Sequence, residues 1–233
     1  MEKRQKIKLF LRKKKDDLLT AMEKDWRDNL FRPITHVLGR VGITANQITI
    51  ASYLLLLVPI GMHFQGYSLG LQIILLGFIG LADAIDGPVA RNNKNVTILG
   101  IWLDHLRDGS LVAWATYLLY SYHVLSLEII GVIWGLQIIL LWITLKDFVF
   151  QYLKHSQETH HLIHHLSYNN LQASLLGRLQ FFFWTIAYLF LFLYILSSYG
   201  WLLTIGHTLI IIEIIFAAMS IFEAYQKFLP KKT

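Results

Sequence analysis

The stretch "LADAIDGPVARNNKNVTILGIWLDHLRDG", residues 81–109, sets four aspartates, Asp83, Asp86, Asp104 and Asp108, beside apolar runs. An ionised aspartate at the centre of a spanning helix costs about 2.5–3.5 kcal/mol on insertion scales, and less near the helix end. Four such groups brought together repel one another unless they are protonated or bridged by cations. At about 100° per residue, Asp83, Asp86, Gly87 and Ala90 fall on one face of a helix. Thr97, Gly100, Asp104 and Asp108 share a face of the segment that follows. Two connected helices can therefore carry both carboxylate pairs to one point. Hard oxygen ligands in such a cluster, with room for water and phosphate, suit Mg²⁺, Mn²⁺ or Ca²⁺. The small residues Gly87, Ala90 and Gly100 leave a flat surface that a bulky ligand can approach closely. Arg91 adds a fixed cation suited to phosphate oxygens.

The rest of the chain places this stretch in a membrane. Of 233 residues, 55% are hydrophobic, above the usual share of a soluble domain. With no cysteine, disulfide frameworks and thiolate metal sites are excluded. Apolar runs of about 20 residues, the length a spanning helix needs, occur at roughly 47–65, 69–91, 98–120, 124–146, 173–197 and 200–225. They are continuously apolar rather than alternating, which excludes a transmembrane barrel. The expected fold is an all-α integral membrane protein with six transmembrane helices, preceded by a basic amphipathic interfacial helix. The expected division is a cytoplasmic interfacial segment over 1–45 and a six-helix transmembrane domain over 46–233.

Charge orients the bundle. Twelve of the 21 Lys and Arg lie in residues 1–45, beside six of the 15 acids. Next to so apolar a body, a basic segment points to anionic lipid headgroups rather than nucleic acid. The first 26 residues lack the apolar core of a cleavable signal peptide. The connectors near 66–68, 121–123 and 198–199 contain no Lys or Arg, so both termini and all four aspartates are expected on the cytoplasmic side.

Taken with its spacing, Asp83-x2-Asp86-Gly87-x2-Ala90-Arg91-x8-Gly100-x3-Asp104-x3-Asp108 resembles the signature of the CDP-alcohol phosphatidyltransferase family in every position. Eight residues at set spacing, each found about one time in twenty, arise by chance on the order of 10⁻¹⁰ per starting position. The resemblance implies transfer of a phosphatidyl group from a CDP-alcohol, usually CDP-diacylglycerol, to a small polar alcohol acceptor, with release of CMP. It implies that Asp83, Asp86, Asp104 and Asp108 ring two divalent cations, Mg²⁺ above Mn²⁺, and that Asp108 also takes the acceptor's hydroxyl proton. Gly87, Ala90 and Gly100 would pack near the nucleotide, Arg91 would hold a phosphate, and Thr97 stands where the family often has Ser or Thr. Upstream, Ala45 to Thr49, "ANQIT", is similar to the family's Pro-Asn-x-x-Thr element without its proline, which makes Asn46 and Thr49 nucleotide-contact candidates. The resemblance further implies a homodimer. The chemistry agrees with the residues: phosphoryl transfer is mostly positioning and charge neutralisation, and a carboxylate can activate the incoming oxygen.

Two other function classes use intramembrane acids. An intramembrane prenyltransferase acting on a prenyl diphosphate usually has more spans and two separated Asp-rich motifs. A divalent-cation transporter places acids through the depth of the bilayer, whereas these lie at one mouth. Arg178, at the start of the fifth run, is a candidate for acceptor phosphate, against a snorkelling anchor. Arg107 and Lys146 read rather as anchors, although either can add charge to an acceptor pocket. Together these cations favour a phosphate-bearing acceptor such as glycerol-3-phosphate or inositol-phosphate. The segment "HSQETHHLIHHL", residues 155–166, reads as a polar loop, since His161-x-x-His164-His165 is one box of a type that needs several. Glu128 and Glu213 lie in or near spans and read as lining a cavity or a dimer contact.

Overall fold

The computed structural model describes residues 26, 28–92, 98–155 and 175–228, and among these every regular element is helical. Helix α1 covers 28–41. It is followed by α2 (Ala45–Leu55), α3 (Leu57–Phe64), α4 (Leu69–Asn92), α5 (Ile98–Ser121), α6 (Leu127–His155), α7 (Leu175–Ser197) and α8 (Gly200–Phe228). The chain divides into two compact units, Met1–Leu111 and Val112–Thr233, whose boundary falls inside α5.

In the first unit, local chemistry places each helix end. Helix α1 stops at Gly42, whose φ of 79° takes the left-handed region that glycine enters without a Cβ penalty. There the Gly42 N–H donates to Gly39 O, and the Ile43 N–H to Leu38 O at 3.0 Å. Thr44 caps α2 through a reciprocal pair. Its hydroxyl accepts from the Gln47 N–H at 3.3 Å, and its own N–H donates to Gln47 Oε1 at 2.8 Å. Ala45 is thus the first helical residue, the position where proline is favoured because its missing N–H has no helical partner anyway. The absent proline of "ANQIT" therefore leaves the helix start intact. The run read as 47–65 is broken at Leu56, between α2 and α3. Pro59 explains the break, because its ring clashes with the carbonyl four residues back, that of Leu55. Both short helices pack along α4. Leu56, Leu69, Leu76, Ile79 and Val89 are buried in this unit.

In the second unit, α7 and α8 form the closest pair and α6 packs on α8. Gly206 of α8 permits that closeness. A Cβ there would stand 2.7 Å from Leu191 Cγ of α7, well inside contact distance. Small residues let membrane helices approach in this way. Glu213 of α8 is wholly buried and ties three helices together. Gln180 Nε2 of α7 donates to its Oε1 at 3.1 Å, and Gln137 Nε2 of α6 does so at 3.3 Å. Glu213 is thus an internal clamp rather than a surface for a partner. Thr116 and Tyr188 share a buried hydroxyl–hydroxyl bond of 2.7 Å.

Four segments are long and apolar enough to cross a membrane: Ala45–Phe64, Leu69–Arg91, Leu176–Ser197 and Gly200–Gln226. Leu127–Ile143 is a shorter apolar helix. Helix α5 is not among them, since Asp104, His105, Arg107 and Asp108 lie within it. Against six expected runs, four spans and a shorter fifth stand by length and composition among the described residues. Large apolar side chains such as Phe64, Ile74, Phe78, Ile211 and Phe222 are exposed along these helices, the inverse of a soluble surface. Most of the expected interfacial segment, residues 1–25, lies outside the described residues.

Candidate active site

The site is built entirely within the first unit, where the end of α4 meets the first turns of α5. Asp83 and Asp86 come from α4, Asp104 and Asp108 from α5. On each helix the two acids are one turn apart, so both pairs project from one side and converge as their spacing requires. One oxygen from each of Asp83, Asp104 and Asp108 lies within 4.8 Å of the other two, an arrangement that can hold a metal ion. At that separation two ionised carboxylates repel by about 3 kcal/mol at an effective dielectric of 20. The trio is therefore relieved either by a cation among the carboxylates or by protonation of one of them.

Part of that charge is supplied by Arg107, the largest wholly buried side chain among the described residues. Its guanidinium reaches all four aspartates. Nη1 donates to Asp86 Oδ2 at 2.6 Å, and Nη2 donates to Asp83, to Asp104 and, at 2.9 Å, to Asp108 Oδ1. Nε adds a longer bond to the same Asp108 oxygen. Arg107 is not the headgroup anchor expected from the sequence; it is the hub of the acidic cluster. The signal was present: on a helical wheel Arg107 lies about 60° from Asp104, on the opposite flank from Asp108 and still on the same face.

The four aspartates are not equivalent. The side chains of Asp83, Asp104 and Asp108 are 34%, 39% and 29% exposed, whereas Asp86 is 8% exposed. Asp86 is held from behind by Thr49, buried on α2, whose hydroxyl donates to Oδ2 at 2.8 Å. Three open carboxylates thus face outward over one buried carboxylate braced by a hydroxyl and a guanidinium.

The other candidates divide. Asn46 lies on the first turn of α2, half-buried and three residues before Thr49. Gly87 and Ala90 sit on the same side of α4 as the aspartates, and a Cβ on Gly87 would meet only the flexible end of Arg91, at 3.2 Å. Arg91 itself is engaged by Asp28 of α1. Its Nη2 donates to Asp28 Oδ1 at 2.6 Å and its Nε to both carboxylate oxygens, a fork that ties α1 to the end of α4. Gly100 is on the first turn of α5, one turn before Asp104. Arg178 lies on the first turn of α7, in the second unit and half-buried. Thr97 and residues 156–166 of the histidine segment lie outside the described residues.

The donor set fits a divalent cation: every ligand candidate is a carboxylate, the hard oxygen type that Mg²⁺ and Mn²⁺ prefer. The family model for CDP-alcohol phosphatidyltransferase matches residues 42–219. The match runs from just before α2 to near the end of α8 and takes in both aspartate pairs and Thr49. The chain belongs to the CDP-alcohol phosphatidyltransferase family. It is also 34% identical over 94 residues to an uncharacterized protein of Aquifex aeolicus (strain VF5), a match covering 39% of this chain and 46% of that protein. The chain thus spans less than half the length of that relative.

Proposed function

We propose that the protein transfers the phosphatidyl group of CDP-diacylglycerol to the hydroxyl of a phosphate-bearing polar alcohol, of the glycerol-3-phosphate or inositol-phosphate kind, and releases CMP. The observation that carries this reading is the convergence of the four signature aspartates of α4 and α5 at one point, with the Thr49 hydroxyl behind them. Asp83, Asp104 and Asp108 would hold a divalent ion, Mg²⁺ above Mn²⁺. Bound there, the ion supplies charge neutralisation for the diphosphate of the donor.

The chain's own residues account for the remaining steps. Asp108 is the general base: both bonds it receives from Arg107 fall on Oδ1, and its side chain is partly open to solvent. It takes the acceptor's hydroxyl proton as the acceptor oxygen bonds to the phosphorus bearing diacylglycerol, and the bond from that phosphorus to the CMP oxygen breaks. Gly87, Ala90 and Gly100 leave the helix surface low where the nucleotide approaches. Asn46 contacts the nucleotide from α2, while Thr49 acts through Asp86. Arg91, steadied by Asp28, binds a donor phosphate, and Arg178 binds the phosphate of the acceptor.

The same reading puts six helices across the bilayer, with the aspartates and both termini on the cytoplasmic side. The support is charge: the connectors 66–68 and 198–199 carry no Lys or Arg, whereas 1–45 carries twelve. The test is CMP release by purified protein given Mg²⁺, CDP-diacylglycerol and a panel of glycerol-3-phosphate, inositol-phosphate, inositol and serine, with the lipid product identified by mass. Release that depends on a phosphate-bearing acceptor is expected. Release with serine or inositol alone would overturn the acceptor class, and no release with any of them would overturn the donor.

A further inference from the structure

We infer that the outward face of α1 seats on an anionic lipid surface and that this seating holds Asp28 against Arg91, so that the bilayer orients the cation that meets the donor. The inference rests on the reading given above that Arg91 binds a donor phosphate. Helix α1 has two unlike sides. At about 100° per residue, Leu30, Ile34, Val37 and Val41 fall within about 60° of one another, and Trp26 stands one turn ahead of Leu30. All five are exposed, whereas a water-facing helix turns its apolar stripe inward. Arg32, His36 and Arg40, spaced four apart, are exposed along one flank of the stripe. Asp28 and buried Thr35 lie on the opposite side.

Two observations make lipid the occupant of the stripe. Helix α1 ends at residue 41, and the apolar segment Ala45–Phe64, long enough to cross a membrane, begins four residues further on. The chain therefore leaves α1 at the edge of the bilayer. An apolar stripe with a basic flank, in a segment carrying twelve Lys and Arg against six acids, is also the composition that lies on anionic headgroups. The inner side of α1 reaches the site through the Asp28–Arg91 fork. That fork uses Nε and Nη2 of Arg91. Nη1 lies back over Gly87, 3.2 Å from where a Cβ would stand, one turn from Asp83. The guanidinium is thus gripped along one edge and presents the other on the aspartate side of α4. Both side chains of the fork are 26% exposed, and an ion pair so open to water holds little by itself. The seating of α1 on lipid supplies the hold that the pair lacks. Asp28 is accordingly a positioning residue that acts through Arg91.

The test uses the full chain in vesicles of phosphatidylcholine, with and without phosphatidylglycerol. The chain has no cysteine, so a fluorophore on Val37→Cys reports the outward face alone. Quenching by nitroxide-bearing lipid is expected, roughly threefold stronger when phosphatidylglycerol is present. A label that lipid does not quench, as when a second copy of the chain covers it, or quenching indifferent to phosphatidylglycerol, would overturn the assigned surface. The coupling is read from CMP release, as the KM for CDP-diacylglycerol in Ile34→Gln/Val37→Gln, in Asp28→Asn and in all three changes together. In anionic vesicles each variant should raise that KM about tenfold and keep kcat within about twofold. The combination should do no more than either, because both break one connection at different points. An unchanged KM in the outward-face variant, or effects that multiply, would overturn the coupling. Arg91→Gln separates this inference from the reading beneath it. If that variant leaves the donor KM unchanged, the role of Arg91 fails and the inference with it. A raised KM there, with none in the outward-face variant, overturns the inference alone.

Discussion

Replacing Thr49 by valine removes one oxygen from the site and little else. Valine has nearly the same shape, and the buried position on α2 keeps its packing. What disappears is the 2.8 Å bond from the hydroxyl to Asp86 Oδ2, together with the longer 3.1 Å contact of the same hydroxyl with Ala45 O one turn back on α2. A hydrogen bond to a charged group contributes about 1.5–3 kcal/mol, and each 1.36 kcal/mol is a factor of ten. With Thr49 gone, Asp86 keeps Arg107 as its partner but can turn with it, and the carboxylate cluster loses its fixed back wall. If the full contribution is felt in the transition state, kcat/KM for CMP release falls roughly 10- to 100-fold. Thr49→Ser, which keeps the hydroxyl, should recover most of the activity. The assay is CMP release from CDP-diacylglycerol at saturating Mg²⁺, with size-exclusion profiles to establish that both variants fold. Thr49→Val at the level of the unaltered protein would refute the claim that Thr49 positions Asp86.

Other outcomes follow from the same geometry. Gly206→Ala would push a methyl group against wholly buried Leu191; overpacking of this kind costs about 1–3 kcal/mol, so the thermal midpoint should drop by roughly 2–10 °C. Glu213→Leu leaves the Gln137 and Gln180 amides without their shared acceptor and should destabilise the fold by about 1–3 kcal/mol, measured by thermal unfolding in detergent, while Glu213→Gln should cost less than half of that. Arg178→Ala should raise the acceptor's KM at least tenfold and leave that of the CDP-lipid within about twofold; an unchanged acceptor KM would remove Arg178 from the acceptor site.

Much of this was legible in the chain because it depends on local periodicity. Asp83 with Asp86, and Asp104 with Asp108, lie one turn apart, so helical geometry alone puts each pair on one face. Apolar run length likewise located the helices, and "ANQIT" pointed to Thr49. What escaped the sequence is long-range or depends on partners. Asp28 and Arg91 are 63 residues apart, and no spacing rule connects them. The difference between buried Asp86 and its three open neighbours arises only when α2 brings Thr49 against α4. Arg107 was misread because a cation near a helix end is ordinarily a headgroup anchor, and only the meeting of α4 with α5 turns it into the hub of the cluster. Glu213, alone in an apolar run, became intelligible once Gln137 and Gln180 arrived from two other helices.

The central claim is that the aspartate cluster is a metal-dependent phosphatidyl-transfer centre. It is tested most directly by CMP release from CDP-diacylglycerol with glycerol-3-phosphate, compared with and without Mg²⁺ and between the unaltered chain and Asp108→Asn. Release that needs Mg²⁺, stops with chelator and falls at least a thousandfold in a folded Asp108→Asn is the predicted result. Equal release by the Asp108→Asn variant, or release indifferent to Mg²⁺, would contradict the account.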